Sequence, residues 1–378
     1  MIRFDHGPLP GGTIFEAPQA VIRADTAAGV IPALAAIESA RARGRWLAGY
    51  FSYELGYVLD PKLAPLMPAG RAMPLILIGV FDGPRPALPL PAPGGAIGAP
   101  RPLWSRDRYD RAIAATHRYI EAGDCYQVNL TFPMEARATG DPLALYSALA
   151  ARQPVGEGAF VDLGGPVVLS RSPELFFAAD AAGRIETRPM KGTAPRGATP
   201  AGDAQAAARL AGSEKDRAEN LMIVDLLRND ISRVCLPGSV HVPDLFRIEP
   251  YATLHQMTST VAGRLAPGTS LTDILCALFP CGSVTGAPKI RAVEITNQLE
   301  PCPRGLYTGA IGRLSPNGDA AFNVAIRTLV LDQGERSARL GIGSAIVADS
   351  IVGEEWRECL AKARFACPDL QAASFLST

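Results

Sequence analysis

SEKDRAENLMIVDLLRNDISRV, residues 213–234, combines a strong helix signal with an unusual density of charge. Ser213 and Asp216 have the spacing of a capping box, and Glu214 and Asp216 suit the positive end of a helix. Met222, Ile223, Leu226, Leu227 and Ile231 form an apolar stripe, so the stretch is predicted to be an amphipathic helix. Asp216 and Glu219 are three residues apart and share a face, beside Asn220 and Ile223 rather than on the far side. Taken alone, such a pair reads as a solvated face.

A second predicted helix, residues 352–366, changes the weight of that pair. Glu355, Glu358 and Lys362 fall on one of its faces at i, i+3 and i+7. Two helices that each carry a carboxylate pair can converge on a hard divalent cation, which takes oxygen ligands and, in the case of Mg²⁺, keeps several waters.

Composition narrows the classes. The chain has 378 residues, 48% hydrophobic and 20% charged, with formal net charge zero, which describes a soluble, well-packed protein. No Lys/Arg cluster interleaves with aromatics, so nucleic acid is not an expected partner. The longest apolar run, residues 74–81, is too short to cross a bilayer and no leader is read at the start, so no membrane association and a cytoplasmic location are expected. Seven cysteines form no CxxC pair and no Gly-x-Cys-x-Gly elbow, so neither a disulfide framework, a zinc site nor a glutaminase nucleophile is expected.

Along the chain, residues 1–81 read as a smaller N-terminal portion packed on the same core, with a helix over 27–43 and extended stretches over 46–57 and 74–81. Residues 82–102, rich in Pro and Gly, read as an irregular connector, and 103–370 as the main catalytic domain. There the reading gives a helix over 105–122, a strand over 125–137, a helix from Asp141-Pro142, an extended run over 159–170, and a hairpin of 174–179 with 184–189. Strands follow around Val240 and over 245–251 and 252–265, then helices over 270–279 and from Pro288. Strands over 306–314, 320–331 and 337–349 are joined by the turns SPNGD and DQGER. Strands and helices come in clumps, which predicts an α+β fold of largely antiparallel sheets packed as a sandwich with flanking helices.

Several polar residues stand in contexts with two readings. Glu174, after Ser172-Pro173, is either an edge-strand acid facing water or a carboxyl held in a cleft. Lys191, between a strand and a flexible Gly turn, is either a surface lysine or an amine made nucleophilic by burial or a neighbouring cation. Arg327, inside the apolar run 322–331, calls for a bidentate anionic partner; Tyr307 on the preceding strand offers a hydroxyl, and Gly341–Ala345 offers backbone amides. Together these residues describe a cleft for a small molecule bearing more than one carboxylate.

GDCYQVNLT, SPELF, RPMKGTAPR, KDRAENLMIVDLLRND, FPCGSVTGAPKIRAVEI, RGLYTGAIG, AIRTL, IVADS and the EExxE helix, in that order, resemble the chorismate-utilising enzymes. Among them the chain is most similar to the first component of aminodeoxychorismate synthase, on the para-aminobenzoate route to folate, with anthranilate synthase component I as the alternative. The resemblance covers residues 105–366 strongly and GYFSYELGY more weakly. It implies Mg²⁺ held directly by Glu219 and Glu358 with Asp216 and Glu355 in the outer shell, and Tyr307 and Arg327 on the enolpyruvyl carboxylate of chorismate. It places Gly192, Thr193, Thr285, the amides of Gly343, Ser344 and Ala345, and Lys362 on the ring side, with Glu174 as general acid. Gln127, where water-using members carry lysine, implies an amine-using enzyme. Lys191, where anthranilate synthases carry alanine, implies the aminodeoxychorismate branch and a covalent lysine mechanism. Ammonia is then expected from a separate glutaminase subunit. The chain departs from many relatives in having Gln256 after His255, Gly343-Ser344-Ala345 in place of three glycines, and Cys281 in place of glycine.

Overall fold

The computed structural model describes residues 1–251, 254–332, 334, 336–368 and 370. Ala252 and Thr253, expected at a strand start, and Gln333 and Glu335 of the DQGER turn, lie outside the described residues.

Two large sheets carry the fold, and every strand pairing among the described residues is antiparallel. One sheet runs in the order Gly286–Ala287, Gln127–Thr139, Ser337–Ile346, Thr328–Asp332, Val167–Ser172, Glu157–Val161, Ile2–Phe4, Thr13–Phe15 and Arg85–Pro86. The other runs Met190–Pro195, Leu254–Arg264, Arg184–Arg188, Leu175–Ala179, Ala320–Val324, Ala310–Leu314, Trp46–Phe51, Ile76–Phe81 and Ala20–Ala24. His241–Pro250 flanks Leu254–Arg264.

The sheets face each other across a core that joins Ile2, Phe4 and Phe15 of the first to Tyr50, Leu77 and Ile311 of the second. Helices cover the two outer faces. Ala27–Ala42, Glu214–Ser232 and Leu271–Leu278 pack on the second sheet, and Arg106–Glu121, Pro142–Arg152 and Val352–Ala363 on the first. The expected α+β sandwich with flanking helices is thus the observed architecture, ordered helix, sheet, sheet, helix. Each fully buried Leu, Ile or Phe in these layers contributes about 1.5–3 kcal/mol.

Local chemistry explains the ends of the elements. Ser105 and Asp141 cap their helices by accepting from Arg108 N and from Leu143 and Ala144 N. Ser270 and Asp273 close a complete capping box. Ser213 accepts from Asp216 N at 3.3 Å, as the sequence predicts. In that helix Ile223, Val224, Leu227 and Ile231 are the buried apolar residues, whereas Met222 and Leu226 are only half-buried.

Several expectations are corrected. Residues 46–57 divide into the strand Trp46–Phe51 and a short helix, Leu55–Leu59. Residues 159–170 are two strands of a hairpin, Glu157–Val161 against Val167–Ser172, turned at Asp162–Pro166. A helix over Pro200–Gly212, capped by Thr199, fills a stretch to which the sequence reading assigns no element, and the closing helix stops at Ala363. The run 320–331 is not one strand: Ala320–Val324 belongs to one sheet and Thr328–Asp332 to the other, so the chain crosses the sandwich between them. Arg327 sits in that crossing with φ +48°, not in a strand interior.

A buried ion pair joins several segments at one end of the sandwich. Arg304 meets Glu300 through two hydrogen bonds of 2.8 Å, with side chains only 3% and 7% exposed. Arg304 also donates to the carbonyls of Asn129 (2.8 Å) and Val284 (3.1 Å), while Glu300 accepts from Thr131 N. From the N-terminal portion, Glu54 accepts from the amides of Arg304 and Gly305. Removing one partner strands a buried charge, so Glu300→Ala is expected to destabilise the protein by about 3–5 kcal/mol. Its denaturant midpoint measures this, and an unchanged midpoint refutes it.

Candidate active site

The acidic face of Glu214–Ser232 is brought to the cavity by Asn220, which is fully buried. Its amide accepts from Ser259 Oγ at 2.6 Å and donates to Lys191 O at 3.4 Å, tying the helix to two strands. The strand Met190–Pro195 pairs with Leu254–Arg264, but the register shifts between Met190 and Thr193. This bulge re-aims Lys191. The segment read as a flexible Gly turn is therefore an irregular strand. Gly192 has φ +92°, and a Cβ there would lie 3.0 Å from Asp216 Cβ, so glycine permits both the bend and the approach of the helix.

On the other side, Trp356, Cys359 and Leu360 bury one face of Val352–Ala363, with Trp356 stacked on Phe132 at 5.1 Å. Glu355, Glu358 and Lys362 are left to line the same cavity, which measures about 380 Å³. Asp216, Glu219, Lys191, Gly192, Thr193 and Glu174 line it from the second sheet and its helix, and Tyr307, Arg327, Gly343 and Ala345 complete the wall. Of the strand Ser337–Ile346, Thr328–Asp332 pairs only with Ser337–Leu340, so the flank of residues 341–345 opens onto the cavity.

Three predicted residues are not on its surface. Thr285 is buried and its hydroxyl bonds the carbonyls of Cys281 and Gly282; Ser344 is buried with its hydroxyl 3.5 Å from that of Tyr109. Gln127 is fully enclosed, and neither polar atom of its side-chain amide has a hydrogen-bond partner among the described residues.

Charge is opposed across the space. Glu174 is 4% exposed and accepts from Ser283 Oγ at 2.6 Å. Burial pushes its carboxyl up to about 7, against the pull of Ser283, Lys191, Arg327 and Lys362. Burial lowers the pKa of the Lys191 amine, and nearby Lys362 acts in the same direction, while Glu219, Glu174 and Glu358 oppose it. Lys362 bonds Glu358 Oε1 at 2.6 Å and Gly343 O at 3.0 Å. Both side chains keep about half their surface open to the cavity; burial pulls the pKa of Glu358 upward, but Lys362 together with Lys191 and Lys215 outweighs it and lowers it.

The four acids suit a hard cation in chemistry, and all four line the one cavity. Burial raises the pKa of Glu219 and the neighbouring charges of Asp216 and Glu358 add to it, a repulsion that a bound cation relieves. Glu358 is engaged by Lys362, and Glu355 by Ser350 Oγ at 2.7 Å. Among the described residues no three Asp, Glu, His or Cys side chains are already gathered as a metal cluster.

The structure also enrols residues to which the sequence gave no role. Asn129, Lys215 and Ser283 line the cavity, and Gln256 holds Gly192 O at 2.9 Å. His255 instead faces Asp203 at 2.9 Å, where Arg196 also binds, and anchors the Pro200–Gly212 helix.

With this geometry in hand, comparisons with known proteins locate the chain. The model of the family described as chorismate binding enzyme matches residues 85–368. "Aminodeoxychorismate synthase" of Streptomyces pristinaespiralis is 46% identical over 269 residues, 71% of this chain and 37% of that protein. "Aminodeoxychorismate synthase component 1" of Salmonella typhimurium is 45% identical over 258 residues, 68% of this chain and 56% of that protein. The matched part thus spans between about two fifths and just over half of these curated relatives. In fold, anthranilate synthase component I of Streptococcus pneumoniae superposes with a TM-score of 0.81 at 24% identity, covering 95% of this chain and 93% of that one.

A Cβ at Gly341 would fall 2.0 Å from Tyr307 Cγ, inside the ring that forms part of the wall. Gly341→Ala is expected to displace Tyr307 from the cavity and to lower stability by about 1–3 kcal/mol through overpacking. A crystal structure and thermal unfolding of the variant check both parts.

Proposed function

The chain belongs to the chorismate binding enzymes, and on that footing we propose that it aminates chorismate to 4-amino-4-deoxychorismate, as the first component of an aminodeoxychorismate synthase. The observation that carries this reading is the pairing, in one cavity, of a half-buried lysine whose pKa is lowered with a carboxylic acid whose pKa is raised to about 7. The two relatives named for this activity support it.

In this reading Arg327 and Tyr307 receive the enolpyruvyl carboxylate, and the lone pair of Lys191 Nζ attacks the ring. As the carbon–nitrogen bond forms and the double bond shifts, the ring hydroxyl departs, and Glu174 donates its proton so that it leaves as water. Ammonia then attacks the carbon that lost the hydroxyl, the double bond shifts back and the lysine is expelled. The spare proton of the incoming nitrogen passes to Glu174 or Lys191. The enolpyruvyl group stays on the ring, and a separate lyase would complete para-aminobenzoate for folate. Glu219 and Glu358, with Asp216 and Glu355 behind them, would hold Mg²⁺, whose charge would neutralise the ring carboxylate and fix the ring. This sequence has no Gly-x-Cys-x-Gly elbow, so ammonia would come from a glutaminase partner.

Incubation with chorismate, Mg²⁺ and ammonium is expected to yield aminodeoxychorismate, converted to para-aminobenzoate only on adding the lyase. Fluorescent anthranilate with release of pyruvate would instead identify an anthranilate synthase. Chelation of Mg²⁺ is expected to stop turnover and its return to restore it. Lys191→Ala is expected to abolish amination, and an undiminished rate would remove the covalent step.

Glu174 must be protonated to act as the acid, so turnover falls as pH rises through about 7. Glu174→Gln is expected to cost about 10²- to 10⁴-fold in kcat and to erase that limb. A pH–rate profile of both proteins decides the point.

A further inference from the structure

Glu174 is fixed from both ends. Its amide donates to Ser172 Oγ, its carbonyl accepts from Val324 N at 3.0 Å, and its Oε1 accepts from Ser283 Oγ at 2.6 Å. Ser283 lies in the 3₁₀ turn Gly282–Val284 and is itself buried, 4% exposed. Behind it Cys281 Sγ is 3.2 Å from Ser283 Oγ, with Cys281 2% exposed. A serine hydroxyl has one hydrogen, and here it is directed to Oε1 of Glu174. Ser283 Oγ therefore meets Cys281 as an acceptor of the S–H. Cys281 can play this part throughout the working range because burial, with the charge of Glu174 adding to it, pushes its thiol up to about 12. The result is a directed chain of donors, Cys281 to Ser283 to Glu174, ending on one oxygen of the acid.

We propose that Ser283, backed by Cys281, is a positioning residue for Glu174: by occupying Oε1 it leaves the exchangeable proton on Oε2 and sets the pH at which that proton leaves. Oε2 has no hydrogen-bond partner among the described residues, and Glu174 lines the cavity. A hydroxyl donating to a carboxylate favours the ionised form, so Ser283 offsets part of the effect of burial. The other charges acting on Glu174 are Lys191 from Met190–Pro195, Arg327 from the crossing between the sheets, and Lys362 from the closing helix. All three are cationic and none is altered by changes at residues 281 or 283.

The inference rests on the acid role given to Glu174 above, and the test separates the two. The titration of Glu174 is followed directly by ¹³C-carboxyl NMR of the full chain, with the resonance assigned by its loss in Glu174→Gln, alongside the pH–rate profile with chorismate and ammonium. Ser283→Ala is expected to move the Glu174 titration upward by about one pH unit, the worth of one charge-assisted hydrogen bond. Cys281→Ala is expected to move it in the same direction by less, and Cys281→Ser to restore it. The alkaline limb of kcat follows by the same amount. If the carboxyl titration moves and the rate limb does not, the donor chain holds and the acid role of Glu174 fails. A Glu174 titration unmoved in Ser283→Ala overturns the proposal, and should that variant not fold, an unmoved titration in Cys281→Ala overturns it.

Discussion

A single buried guanidinium, that of Arg304, serves as the common reference for one whole wall of the cavity. It bonds the carbonyl of Asn129 on a central strand and that of Val284 in the turn that carries Ser283, and it stands three residues before Tyr307. Two hydrogen bonds that it donates to Glu300, and the carboxylate of Glu54 accepting from its own backbone amide, hold it in turn. Such a network is worth having only when every member is satisfied, because each lost partner leaves a charge or carbonyl without water to replace it. The wall is therefore rigid for an electrostatic reason. A cluster of this kind can place Tyr307 and Asn129 more sharply than apolar packing alone.

The opposite wall is held by softer means. Asn220, with one hydrogen bond to Ser259 and another to Lys191 O, sets how far the acid-bearing helix stands from the strand of Lys191. The absence of a Cβ at Gly192 sets how close Asp216 may come. Across the space Lys362 occupies Glu358, so carboxylate and amine neutralise one another within the cavity. On the proposed reading, a bound cation would exchange those internal pairings for external ones. Its charge, and the carboxylates it occupied, would favour the neutral form of Lys191.

Much of this was legible in the residues. The Ser213 cap and the apolar stripe behind it fixed a helix that the structure reproduces, and the spacing of Glu355, Glu358 and Lys362 placed all three on the cavity. Local spacing said nothing of how the walls come together; the ordered motifs of the family did. The failures have physical causes. Arg327 adopts a left-handed backbone without being glycine, a conformation no local pattern signals. The hairpin within 157–172 is buried on nearly every residue, so it lacks the alternation that marks a strand, and its Gly-Gly-Pro turn went unread. The Pro200–Gly212 helix had a Thr-Pro start, but only Ala206 and Leu210 are buried, too faint a stripe to register. Ser283 and Glu174 are 109 positions apart, and only the folded chain brings them together.

The first 81 residues are woven into both sheets. Trp46–Phe51 lies between Ala310–Leu314 and Ile76–Phe81, Ile2–Phe4 lies between Glu157–Val161 and Thr13–Phe15, and Glu54 grips Arg304. The stretch recognisable across the family begins only at residue 85, so the unit that heredity advertises is smaller than the unit that folds. An exchange of gene segments at that boundary would sever two interior ladders at once and hand each half a foreign mate. A larger polypeptide that took in the matched stretch would have to carry the unadvertised portion along, and any divergence in it would have to be answered, strand by strand, in the sequence it lies against.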